Sequence, residues 1–109
     1  MSGAATRRKG RVGETTAKEL LTARDWVVDD LTSGLATGDL IATDADHNTY
    51  LVEVKNCAGI TTAHRDQAMR QGKERRLRWM LMSKLAGTKY WVVQRQGGRP
   101  VLWSEGEQE

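Results

Sequence analysis

A chain of 109 residues has room for one hydrophobic core and not for two, and a 39% share of hydrophobic residues is enough to build it. Every apolar run is shorter than the ~18 residues of a membrane span, and the start, Met1-Ser2-Gly3-Ala4-Ala5-Thr6, lacks the apolar stretch of a secretory signal. Cys57 is the only cysteine, so an internal disulfide is excluded; a reducing cytoplasm is the expected setting, with no membrane among the partners.

The net charge of +3 is modest but unevenly spread, beginning with a basic arm over residues 1–10 that carries Arg7, Arg8 and Lys9 and is expected to be flexible, with Arg11 just beyond it. From Val12 to Ala23 the pattern is helical, with Leu20 and Leu21 as the apolar stripe and Gly13-Glu14 at the opening. Asp25 to Asp29, containing Trp26, reads as a short strand, and Thr32-Ser33-Gly34 as a loop. Two apolar runs follow, Gly38-Asp39-Leu40-Ile41-Ala42 and Tyr50-Leu51-Val52-Glu53-Val54-Lys55, joined by the turn-rich stretch Thr43 to Thr49. A second, longer helix is expected from Thr61 or Thr62, both suitable N-caps, to Leu85. Its buried stripe would be Ala63, Met69, Leu77, Met80, Leu81 and Leu85, with Gly87 as the stop. Two strands, Lys89 to Val93 and Arg99 to Trp103, close the chain around the Gly97-Gly98 turn. The expected order is therefore αβββαββ, a small mixed sheet with helices against it. It would form one domain over residues 11–104, followed by an acidic tail over 105–109 with Glu105, Glu107 and Glu109.

The hairpin carries the chemistry. If it is centred on Asp46, Asp39 lies directly opposite Glu53, Leu40 opposite Val52 and Ile41 opposite Leu51. Opposed residues in an antiparallel ladder share a face, with Cβ atoms about 5 Å apart. Alternation puts Lys55 on that face too, two residues past Glu53. Like charges placed opposite each other destabilise a sheet, so a cation resolves the pair. A hard divalent ion held by one or two carboxylates, with waters completing its shell, describes a magnesium site. Arg65, Arg70, Lys73, Arg75, Arg76, Arg78 and Lys84 follow the hairpin, as the basic arm precedes it. Two basic clusters around an acidic pair point to a polyanion held by its phosphates, against the competing explanation that these charges merely solvate a helix face.

In this order of elements, Glu14, Gly38-Asp39 and Glu53-Val54-Lys55 resemble the PD-(D/E)XK nuclease superfamily, and within it the archaeal-type Holliday-junction resolvases. Those proteins similarly open with a basic, Gly-containing arm and an acid early in the first helix, here Lys9-Gly10-Arg11-Val12-Gly13-Glu14. An aromatic strand like Trp26-Val27-Val28 and a Ser-Gly loop like Ser33-Gly34 then precede the acid on the second strand and Glu-x-Lys on the third. The resemblance covers residues 9–57, with later elements agreeing only in order; Gly38 stands where the superfamily's name has proline, and the long helix shows no strong match.

The resemblance implies an α/β fold with a restriction-endonuclease-like core. It implies that Asp39 and Glu53 bind Mg²⁺, with Mn²⁺ as a substitute, and that the Val54 carbonyl is a third ligand. Lys55 would orient or help deprotonate the attacking water and steady the phosphate, Glu14 would complete the site through a water on the metal, and Ser33 would touch a phosphate or assist cleavage. Glu14 also has a structural explanation in the helix dipole, and Thr-Ser-Gly is equally an ordinary turn. The implied activity is a metal-dependent endodeoxyribonuclease that resolves branched DNA and leaves a 5′-phosphate, in the cytoplasm of a prokaryotic or phage-infected cell. DNA contacts fall to Arg7, Arg8, Lys9, Arg11, Arg65, Arg70 and Lys73. Symmetric cutting of two strands needs two active sites, which a C₂ homodimer supplies. The alternatives are a flap, single-strand or restriction-like nuclease, and a catalytically inactive DNA-binding module. Gln67 and Gln71 are expected to be solvated, and His47 exposed in the turn. His47, His64 and Cys57 lack zinc-site spacing, and Trp26, Trp79, Trp91 and Trp103 suit a core or a dimer interface more than base stacking.

Overall fold

The computed structural model describes residues 15–29, 39–55 and 60–105. In chain order these form α1 (residues 15–23), β1 (Val27–Asp29), β2 (Asp39–Thr43), β3 (Thr49–Lys55), α2 (Thr62–Arg75), β4 (Arg78–Lys84), β5 (Tyr90–Arg95) and β6 (Val101–Ser104). The strands make one six-stranded sheet whose spatial order is the chain order. Every neighbouring pair is antiparallel except β3 and β4, and α2 is the crossover that this parallel pair requires. The expected mixed sheet with helices against it is present, with one strand more than the expected αβββαββ.

The extra strand lies where the long helix was expected to continue. Thr61 caps α2 as the sequence suggests: its Oγ1 accepts from the His64 amide at 3.2 Å, and His64 Nδ1 accepts from the Thr61 amide at 3.2 Å. The helix then ends at Arg75, ten residues before Leu85, because Arg76 turns into the left-handed region at φ 57° and ψ 39°. The Arg76 amide donates to the Lys73 carbonyl at 3.2 Å and the Leu77 amide to the Gly72 carbonyl at 2.8 Å, the Schellman pattern of bonds. Arg78–Lys84 follows as a central strand covered on both sides, and Trp79 through Ser83 are all buried. Such a strand reads as an unbroken apolar run, and its Met80 and Leu81, with Leu77 and Leu85 on either side, also happen to fit a helical period. The buried side of α2 is Ala68 and Gly72, whereas Ala63 and Met69 are exposed. A Cβ on Gly72 would stand 2.8 Å from the Leu77 carbonyl oxygen and 3.4 Å from Trp79 Cβ, so glycine is what lets the helix settle on the sheet. Gly87, at φ 74°, belongs to the β4–β5 turn instead.

The sheet has two unlike faces. Alternate residues of the central strands, Tyr50, Val52, Met80, Met82, Trp91 and Val93, join Leu40 and Ala42 against Ala17, Leu20 and Leu21 of α1. Trp26 packs on Tyr50 and Trp103, with ring centroids 5.4 and 6.1 Å away, and the Arg24 guanidinium lies 4.4 Å from the Trp103 ring centre. Burying each such large side chain is worth about 1.5–3 kcal/mol. Of the two expected settings, core or dimer interface, Trp26, Trp79 and Trp91 take the core, and Trp103 is partly buried against it. On the opposite face Ala68 of α2 meets Trp79, Leu81 and Ile60.

Glu105, the first residue of the expected acidic tail, is tied to this framework. Its Oε2 accepts from Trp91 Nε1 at 2.7 Å and pairs with Lys84 Nζ at 3.0 Å. Partial burial by itself would raise its pKa, but the two hydrogen bonds and the Lys84 charge outweigh this and hold the carboxyl below its ordinary value of 4.5. Among the described residues, no helix is long and apolar enough to cross a membrane.

Candidate active site

The site begins with the turn that sets the hairpin. Asp44 Oδ1 accepts from the amides of Asp46 at 3.0 Å and Asn48 at 2.9 Å, and the Asp44 amide donates to the Asn48 carbonyl at 2.9 Å. His47 takes a positive φ of 66° and is exposed, as expected for the turn. From this closure the ladder runs outward through Thr43–Thr49, whose hydroxyls are 3.0 Å apart. Leu40 then pairs with Val52 and Asp39 with Glu53, the register expected from the sequence. For Asp39 the structure describes the backbone position and not the side chain.

Glu53 is 1% exposed, and its position on the β3 strand places it on the α2 side of the sheet. Among the described residues, neither of its carboxylate oxygens has a hydrogen-bond partner. Lys55 Nζ lies 3.4 Å from Oε2, near enough to attract the charge without a well-formed hydrogen bond. The same ammonium donates to Gln67 Oε1 at 3.4 Å, so Lys55 is strung between the sheet and α2 with its side chain 25% exposed. A buried carboxylate carries a desolvation penalty of several kcal/mol, and one partly exposed lysine offsets little of it. A hard divalent cation satisfies such a carboxylate through oxygen ligation, so the donor chemistry present fits this class of ion. Among the described residues, no three side chains of His, Cys, Asp or Glu converge on one point.

Other expected site residues are placed as follows. Val54 follows Glu53 in β3 and pairs with Met82 of β4. Glu14, Ser33, Arg7, Arg8, Lys9, Arg11 and Cys57 lie outside the described residues. Arg65 is half-buried, its guanidinium donating to Gln94 Oε1 at 3.5 Å and Thr62 Oγ1 at 3.3 Å, while Arg70 and Lys73 are exposed on α2. His64 serves the helix cap.

Gln67 and Gln71 depart from the solvated state expected of them. Both are half-buried; Gln67 holds Lys55, and Gln71 Oε1 is shut from solvent without a hydrogen bond among the described residues. Two neighbours were missed. Ser83 is fully buried opposite Lys55 in the parallel ladder, and Gln94 holds Arg65. A serine inside an apolar run and a glutamine two residues from another, Gln94 and Gln96, were the available signals of a polar sheet face.

No family model matches this chain, and no curated protein matches it. Among solved structures it is similar to Hjc of Archaeoglobus fulgidus, a Holliday junction resolvase from an archaeal hyperthermophile. The likeness covers 87% of this chain and 85% of that chain, with 16% identity and a TM-score of 0.51. The shared feature is the fold: a mixed sheet flanked by helices in the restriction-endonuclease-like arrangement.

Proposed function

We propose that this protein is a metal-dependent endodeoxyribonuclease that hydrolyses phosphodiester bonds in branched DNA, with the Holliday junction as substrate and a homodimer as the working form. The observation that carries the reading is Glu53, buried with neither oxygen hydrogen-bonded among the described residues, beside Lys55 and in register with Asp39. The fold shared with Hjc supports it, as do the order and spacing of the sequence motifs.

Glu53 and Asp39, with the Val54 carbonyl, would hold Mg²⁺, or Mn²⁺ in its place; the ion supplies an acidified water and screens the phosphate charge. Lys55 presents its ammonium beside that position, where charge develops on the phosphate oxygens during attack. Gln67 acts as a positioning residue by restricting the Lys55 side chain. Glu14 and Ser33 are assigned the supporting roles their motif positions imply, and Arg65, Arg70 and Lys73 with the basic arm the neighbouring DNA backbone.

The test is cleavage of a labelled four-way junction with Mg²⁺, beside a linear duplex and a Glu53→Ala variant. Paired cuts in the junction alone, abolished by the variant, are expected. Cleavage of every substrate would replace the resolvase with a general nuclease. Binding without cleavage would leave a binding module with structural acids.

A further inference from the structure

The C-terminal end of α2 carries a groove that extends beyond Lys73, away from the carboxylates. Lys73, Arg76 and Arg78 line it together with Gln96, over a floor of Leu77 and Trp79. Two adjoining clefts that share Arg76, Leu77 and Gln96 make up this groove, and no carboxylate is among the described residues lining either. Lys73 and Arg76 border the first cleft and Arg76 and Arg78 the second, with no acid among the described lining residues, on a surface whose apolar floor suits sugar edges.

Arg76 supplies a second observation. It occupies the left-handed turn position that closes α2, where glycine is the unstrained residue, and it is an exposed residue that lines both clefts.

The register fixes where the groove lies. Arg78 pairs with Tyr50 and Leu81 with Glu53, so the groove begins three residues, or about 10 Å, down the ladder from the acid. Along α2, Gln67 sits at Lys55, and Arg76 is nine residues further on, about 13 Å at the helical rise. At the 3.4 Å rise of one DNA strand, the first path spans about three nucleotides from Glu53 and the second about four from Lys55.

We propose that this groove is a backbone-phosphate site, distinct from the metal-binding carboxylates, that holds a DNA strand about three to four nucleotides from the bond being cut. The inference rests on the nuclease reading above and adds to it a binding site. Its occupant is the sugar-phosphate backbone; phosphate contacts position a duplex without reading its sequence.

Arg76→Gly tests this directly, because the change removes the charge while relieving the left-handed backbone. Binding of a labelled four-way junction and a labelled duplex is measured in EDTA, over about 50 to 300 mM salt, for the wild type, Arg76→Gly and Arg78→Gln. Each variant is expected to bind both DNAs about eightfold more weakly at 0.1 M salt, with the log-affinity against log-salt slope shallower by about 0.9. The melting temperature of Arg76→Gly should equal or exceed that of the wild type. Wild-type affinity and slope in both variants would overturn the groove while leaving the nuclease reading intact, as would an affinity loss without any change of slope. A wild-type protein that binds neither DNA would overturn both.

Discussion

The two faces of the sheet are built on opposite principles. Against α1 the buried residues are uniformly apolar, from Leu20 and Leu21 through Val52 and Met82 to Trp91. Against α2 the buried apolar set is smaller, Leu51, Ala68, Trp79 and Leu81, with Glu53, Ser83, Gln67 and Gln71 sharing that face or turned toward it. The helices differ in the same sense, since α1 brings leucines to the sheet and α2 brings an alanine and a glycine. A small domain has only about 5–15 kcal/mol of net stability. Concentrating the favourable burial on one face leaves the other able to tolerate an unsatisfied carboxylate.

The comparison can be broken at several points. The largest effect is expected from Glu53→Gln, which should lower cleavage by about a thousandfold or more, some 4 kcal/mol of activation free energy. The same variant should be as stable as the wild type or more stable, because it removes a buried, poorly compensated charge. Denaturant unfolding of this variant would break the contrast if it showed a clear loss. Trp91→Ala attacks the other face and should cost about 3–5 kcal/mol in urea unfolding, enough to threaten the fold.

Gly72→Ala gives an intermediate and more pointed result. In an exposed helix interior this change gains about 1 kcal/mol. Here the new methyl meets the Leu77 carbonyl at 2.8 Å, and a net loss of about 1–3 kcal/mol is expected in the same measurement. A net gain would mean that α2 can lift from the sheet freely, and the close seating of its small-residue face would then have no energetic importance.

The smallest effect concerns Glu105, which links the sheet's end to the α1 face through Trp91. Its folded pKa lies below the ordinary 4.5, so its stabilising contribution is complete above that value and is lost as pH falls through the lower folded one. Glu105→Gln should therefore be less stable than the wild type near neutral pH, with the difference closing in acid. Unfolding midpoints compared at about pH 7 and pH 3 would show this; a difference that persists in acid would assign the effect to shape rather than charge.

The hairpin was legible in the sequence because its period-2 pattern and its turn residues agree on one register, and that register contains the acids. The reach of α2 was not. Its stop is an arginine in a conformation that favours glycine, so no residue type announces it, and the strand that follows is buried on both sides and carries no alternation. That error concealed Ser83 and the true position of Trp79 as well. Gln67 was visible as a polar residue on a helix; that it would hold Lys55 depends on how α2 crosses the sheet, which local pattern does not encode.

The pairing of Asp39 with Glu53 has its alignment set from the other side of the same strands. Leu40 and Ala42 face the large apolar cluster together with Val52 and Tyr50, their ladder partners. A slip of β2 by one residue would drive Leu40 and Ala42 out of that cluster, so the penalty for misplacing the acid is the penalty for dismantling the core. The mechanical tolerance of the candidate site is thus set by groups that never touch it. A point substitution at the site, Glu53→Gln among them, is therefore expected to leave the frame that aligns it intact.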